Sequence, residues 1–260
     1  MVFKQLKNLL SFLTVFPVKM DKDLFVDCAR SMWAFPLIGA LLGLLAGLAG
    51  LLGMYVLPNL VVGPITLALL LLMTGLHHTD GLLDFGDGLM VHGTPEHKIT
   101  IMHDQLTGAG AIGLTLMTYI ITAFAFAGLG TTVSFGFFWV PLIFPGLIVI
   151  ELCAKLAMVV AAWSGKAVHE GMNTSFLQYM HGKGGGLRLI VALIISFVIA
   201  FLLLRFAGLF LVSAALLTGL IMVALAHHNF KGVTGDVFGA INEITRMVCV
   251  VVLLAVIIWV

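Results

Sequence analysis

Charge is the scarce ingredient of this chain. Asp, Glu, Lys and Arg make up 10% of its 260 residues, where a soluble domain carries about 25%. With 61% hydrophobic residues and a mean hydropathy of +1.17, the composition excludes a water-soluble domain and places the chain in a lipid bilayer. Neither sign of charge is in excess, since the net charge is +1; with no basic surface, nucleic-acid binding has no support. Cysteine is scarce too. Cys28, Cys153 and Cys249 are an odd number, widely spaced and mostly in apolar surroundings, so they make neither a disulfide framework nor a zinc site and read as packing residues. No HExxH pairing is present among the histidines, and His92, His97, His169 and His181 are scattered in loops, so zinc chemistry has no support either.

What is abundant is long apolar runs. A helix needs roughly 20 such residues to cross the hydrocarbon layer, and seven runs qualify, at about 33–56, 60–79, 110–130, 135–160, 188–204, 207–226 and 246–260. The expected fold is an all-α polytopic membrane bundle forming a single transmembrane domain over 1–260. Pro141 and Pro145 are expected to kink or break the fourth run. Gly39, Gly43 and Gly47 line one face of the first, letting a neighbouring helix come close. Ahead of that span, Lys4 and Lys7 alternate with Phe3, Leu6, Leu9, Leu10 and Leu13. The pattern is that of an amphipathic helix lying on the membrane, too short to span and without a small-residue cleavage site, and so retained rather than a signal peptide.

Cations orient the bundle. Lys4, Lys7, Lys19, Lys22 and Arg30 precede the first span, Lys98 follows the second, Lys166 and Lys183 the fourth, and Lys231 the sixth. Lys155, Arg188 and Arg246 are assigned to span ends nearest the same side, which leaves Arg205 alone on the other. The crowded side is therefore expected to be cytoplasmic. The acids follow the cations: Asp80, Asp84, Asp87, Glu96 and Asp104 come after span two, Glu170 after span four, Asp236 and Glu243 after span six, and only Glu151 reads as embedded. Ionisable groups gathered this way in a membrane protein point to function.

The densest stretch is GLHHTDGLLDFGDGL, 75–89. Wound as a helix, Asp80, Asp84 and Asp87 fall within about 60° of one another. Carboxylates about 6 Å apart repel by roughly 3 kcal/mol per pair at an effective dielectric of 20. A divalent cation removes that repulsion, and oxygen-only ligands select a hard ion, Mg²⁺ or Mn²⁺. Glycines 81, 86 and 88 leave room for a bulky anionic ligand. His77 lies near the same face and can orient a carboxylate, contact phosphate or move a proton, while His78 points elsewhere.

A second constellation, HHNFKGVTGDVFGAINEITR at 227–246, puts Asp236 and Glu243 on one helical face. Thr234-Gly235-Asp236 reads as a helix start whose free amides favour an anion, flanked by Lys231 and Arg246. MHDQLTGAG at 102–110 adds Asp104. The HGKGGG stretch is no phosphate-binding P-loop, because neither Ser nor Thr follows Lys183.

These motifs resemble those of the cobalamin synthase (adenosylcobinamide-GDP ribazoletransferase) family. FLTVFPV at 12–18, FPLIGALLG at 35–43, GLHHTDGLLDFGDGL, MHDQLTGAGA and KGVTGDVFGAINEITR occur in family order across both halves of the chain. The chain departs from the family pattern at His103, Gln105 and Leu106, where many relatives carry Arg, Ser and Arg around the shared Asp104, and at Arg246, where many carry a second glutamate. The resemblance implies a Mg²⁺-dependent transfer of adenosylcobinamide phosphate from adenosylcobinamide-GDP to α-ribazole or its 5′-phosphate, with loss of GMP, at the cytoplasmic face of the cell membrane. In that reading Asp80, Asp84 and Asp87 hold metal, and Lys231, Thr234, Asp236, Glu243 and Arg246 bind substrate or a second ion. Asp104 or His77 takes the attacking proton. Lower-base preference and homo-oligomerisation stay open.

Three rivals are weaker. A CDP-alcohol phosphotransferase needs Ala-Arg where Asp84 and Phe85 stand, and an intramembrane aspartyl protease needs glycine at the positions of Asp84 and Val233. A cation-coupled transporter predicts acids near mid-span.

Overall fold

A computed structural model describes residues 2–16, 24–104, 106–135, 138–168 and 172–259. Lys19, Lys22, Gln105, His169, Glu170 and the end of the FLTVFPV motif lie outside the described residues. The elements run α1 (Val2–Leu13), α2 (Leu24–Arg30), α3 (Phe35–Met54), α4 (Asn59–Met73), α5 (His77–Met90), α6 (Pro95–Met102), α7 (Ala109–Gly128), a hairpin of β1 (Thr132–Phe135) and β2 (Phe138–Pro141), α8 (Ile143–Ser164), α9 (Met172–His181), α10 (Gly185–Phe230) and α11 (Gly235–Trp259).

Five helices, α3, α7, α8, α10 and α11, are long and apolar enough to cross a membrane. The 46-residue α10 is not one rod, because Arg205 breaks it with φ 53° and ψ −132°. Gly208 abuts the Ala200 backbone, a contact impossible in a straight helix, where eight residues rise about 12 Å. The two halves, 185–204 and 206–230, therefore run back along each other, as the sequence predicts. Outward-facing side chains such as Leu116, Ile120 and Phe124 on α7 and Leu202, Phe206 and Phe210 on α10 are exposed and apolar, as a lipid-facing surface requires.

Three predicted spans differ. The second stops at Met73: Gly75 and Leu76 both take left-handed φ values (63° and 60°), which ends α4, and α5 leaves at 97°. His77 and His78 thus open α5 rather than close a span. The fourth starts in the hairpin, and its prolines do not break it. Pro141 closes β2, and Pro145 sits in the first turn of α8, where no amide is needed. The seventh begins eleven residues earlier than expected, at Gly235, so Glu243 belongs to a spanning helix and not to a loop, and Arg246 lies within that helix and not at its end. Lys155 likewise lies inside α8, fully buried, and not at its end.

Helix α8 is the axis of the bundle, with every residue from Val149 to Ala162 buried. The Gly39, Gly43 and Gly47 stripe of α3 lies against it; a Cβ on Gly43 would sit 2.7 Å from Ile148 Cα, whereas one on Gly113 meets nothing within 4 Å. Gly43→Val is therefore expected to destabilise the protein by about 3 kcal/mol or more, and Gly113→Ala to be neutral or stabilising by up to about 1 kcal/mol. Thermal unfolding in detergent checks both.

Tertiary contacts sort the helix ends into two faces. At one, Val233 N–H donates to the Lys166 carbonyl (2.7 Å), Val15 N–H to the Met73 carbonyl (2.9 Å), and Lys98 Nζ to Asn229 Oδ1 (2.8 Å). At the other, Leu142 N–H donates to the Thr131 carbonyl (2.8 Å) and Asn59 meets Gly130. Helix α1 packs on the first face: buried Asn8 donates to Asp27 (3.0 Å), and Leu9 and Leu13 enter the core.

Candidate active site

Helix α5 lies outside the five long spans and rests between the starts of α7 and α11. Two glycines permit this. A Cβ on Gly81 would lie 2.9 Å from Asp236 Cα and 3.1 Å from Gly239 Cα; one on Gly86 would lie 3.1 Å from Ala111 Cα. Gly88 is similarly close to Phe230 and the Lys98 carbonyl. These glycines serve helix packing, and the ligand space that the sequence reading assigned to them is filled by protein.

The packing brings the two predicted acidic segments together. Asp80, exposed, and Asp84 and Asp87, half-buried, share one face of α5, and half-buried Asp236 stands in the first turn of α11. Burial, reinforced by Asp236, Asp80 and Asp87, pushes the Asp84 carboxyl up to about 7. Asp87 has a structural task as well. Its two oxygens accept from the Gly108 and Ala111 amides (2.6 and 2.8 Å), a carboxylate seated on the free N–H groups at the start of α7.

Thr234 caps α11 as expected: its hydroxyl accepts from Val237 N–H (3.3 Å) and lies 3.3 Å from Asp236 Oδ2. His103, left unassigned by sequence reasoning, places Nε2 3.6 Å from Asp236 Oδ2. Asp104 and His77 are both exposed at this face. Lys231 is exposed and paired with Glu96, whose carboxyl its ammonium holds down to about 2.

Glu243 and Arg246 are not at the surface with the other acids. Both are buried, with Arg246 gripping Glu243 on one side and Glu151 of α8 on the other (Nη2 to Oε2 3.0 Å). Lys155 Nζ donates to Asn242 Oδ1 (2.6 Å) and lies 3.3 Å from His78 Nε2, while Asn242 Nδ2 donates to Glu243 (3.0 Å). The inner layer is thus two carboxylates and two cations, balanced in charge, beneath the outer carboxylates Asp80, Asp84, Asp87 and Asp236. Sequence reasoning saw the outer layer because its acids share helix faces. It missed Lys155, His78 and Asn242 because nothing local ties them together.

A metal fits the outer layer only in one way. Among the described residues, no three His, Cys, Asp or Glu side chains converge closely enough to cage an ion. Mg²⁺, however, is commonly held by one or two carboxylates, with water and substrate phosphate completing its shell. Asp84 with Asp80 or Asp236 is such a donor set, and the raised Asp84 carboxyl marks a site where a cation would relieve repulsion.

Comparison with known proteins converges on one group. A family model described as cobalamin-5-phosphate synthase matches residues 5–254. The adenosylcobinamide-GDP ribazoletransferase of Methanocella arvoryzae is 34% identical, over 93% of this chain and 92% of its own. Those of Geotalea daltonii and Thermococcus kodakarensis are each 31% identical, covering 95% of this chain and 95% and 97% of theirs. No solved structure matches the chain.

Proposed function

Because the chain belongs to the cobalamin-5-phosphate synthase family, we propose that it transfers adenosylcobinamide phosphate from adenosylcobinamide-GDP to α-ribazole or its 5′-phosphate, releasing GMP in a late step of cobalamin synthesis. The observation that carries the reading is the meeting of Asp84 and Asp236 from separate segments at the face where the cations Lys98, Lys166 and Lys231 also gather. By the positive-inside rule that face is cytoplasmic.

Asp84, with Asp80 or Asp236, would hold Mg²⁺ together with the substrate's diphosphate, and Asp87 would keep α5 seated on α7 so that its neighbours face the substrate. When bound, Mg²⁺ supplies neutralisation of the charge that grows on the leaving GMP. The chain mainly positions the reactants. Asp104 or His77 accepts the proton of the attacking ribose hydroxyl, and His103 steadies Asp236. Lys231, released from Glu96, is free to meet a phosphate oxygen. Glu243 and Arg246 act from below, by fixing α11 against α8.

The buried charges of α8 and α11 are the one feature that favours a transporter, since they lie mid-span. Their mutual pairing and enclosure argue for a structural network instead. Purified protein given Mg²⁺, adenosylcobinamide-GDP and α-ribazole is expected to release GMP, and excess EDTA to stop it. Movement of labelled substrate into liposomes with no GMP formed would show the transferase reading to be mistaken.

A further inference from the structure

Helices α5 and α11 cross with an antiparallel register that can be read from three levels. At the crossing, Gly81 meets Gly239. Three positions to one side, His78 and Asn242 share the ammonium of Lys155. Three positions to the other side come Asp84 of α5 and Asp236 of α11, whose backbone packs against Gly81 (2.9 Å from a Cβ there to Asp236 Cα) and whose charge acts on Asp84. Each step is about 4.5 Å along a helix, so the lysine level and the acid level lie a little under one helical turn either side of a glycine pivot.

The pivot holds the helices close but specifies little else, because two glycines offer no side chain to resist sliding or rotation. Lys155 supplies the missing constraint. Its stem passes Gly39 of α3, where a Cβ would sit 2.9 Å from Lys155 Cγ, and its head is wholly buried. An ammonium has only donors, so His78 Nε2 accepts from it, and His78 Nδ1 has no partner among the described residues. The lysine is therefore the contact that orients this ring. Asn242 is held from both ends, accepting from Lys155 and donating to Glu243.

We propose that Lys155 is a positioning residue that sets Asp84 against Asp236, by pinning His78 and Asn242 on the far side of the glycine crossing. The inference rests on the reading of those acids as the cation-holding pair. It assigns a role in the transfer reaction to a side chain that touches neither substrate nor metal.

Binding of Mn²⁺ to the purified protein, followed by electron paramagnetic resonance without substrate, tests it apart from turnover. Lys155→Met is expected to weaken Mn²⁺ binding by about tenfold or more, as loss of a residue that orients metal ligands does. Lys155→Met/Asn242→Leu, which also removes the stranded acceptor, is expected to fold and to bind as weakly as Lys155→Met. Asp84→Asn is the control. If Asp84→Asn weakens Mn²⁺ binding and the Lys155 variants bind like wild type, the role of Lys155 is overturned while the metal reading stands. If wild type and Asp84→Asn bind alike, the metal reading falls and this inference with it. Failure of both Lys155 variants to fold would overturn it as well, since Lys155 would then be a folding residue.

Discussion

Asp84→Asn is expected to lower the rate of GMP release by about 10²- to 10³-fold, the scale of losing an electrostatic group aimed at a charged transition state, while leaving the protein at least as stable. The two halves of that expectation share one cause. Asp84 is held in a setting that raises its carboxyl to about 7, through burial and the neighbouring acids, so the folded protein bears a repulsion that a proton or a bound cation relieves. An amide of the same shape removes the repulsion and the ligand together. Activity should fall while the unfolding temperature holds or rises, the signature of a group kept for function against stability. Asp87→Asn should do the reverse in stability, because its two oxygens receive the first amides of α7 and an amide side chain offers only one acceptor. A loss of about 1 kcal/mol is expected, typical of a damaged helix cap. Thermal unfolding in detergent beside a GMP-release assay separates the two aspartates. Near-normal turnover by Asp84→Asn would remove Asp84 from the site.

The largest stability effect is expected at Arg246. It is fully buried in α11 and is shared between Glu151 and Glu243. Removing it as Arg246→Met leaves two carboxylates facing each other in a low-dielectric interior, a change that costs about 3–5 kcal/mol. Arg246→Leu combined with Glu151→Leu removes one charge of each sign and leaves Glu243 with Lys155 and Asn242; most of the lost stability should return, since apolar replacement of a buried pair is often neutral. If Arg246→Met were as stable as wild type, the network would contribute little to α11 packing. If the double variant folded but stayed inactive, the pair would bear on the reaction as well.

Much of the architecture was legible in the chain because the bilayer imposes a length and composition on every crossing. The reversal at Arg205 could be placed to within a residue or two, because two long apolar runs flank an arginine. The α3 glycine stripe was legible as packing for the same kind of reason: a four-residue period states which face is small. The bend after Met73 was not, because it depends on the left-handed Gly75 and Leu76, and hydropathy does not see caps. The helix start at Thr234 was legible from its cap, but hydropathy began the span eleven residues later, since polar residues such as Asp236, Glu243 and Arg246 interrupt the apolar run.

By itself, the sequence determined that this is a membrane bundle with acids and cations gathered at one face, and that Asp80, Asp84 and Asp87 share a helical side, since periodicity and composition are properties of a segment alone. Only the tertiary structure decided that Asp236 joins Asp84, that Asp87 serves α7, and that Arg246 and Lys155 lie beneath the site rather than on it. Those outcomes depend on which helices touch. A contact between α5, α8 and α11 joins residues far apart in the chain, and no local pattern records it.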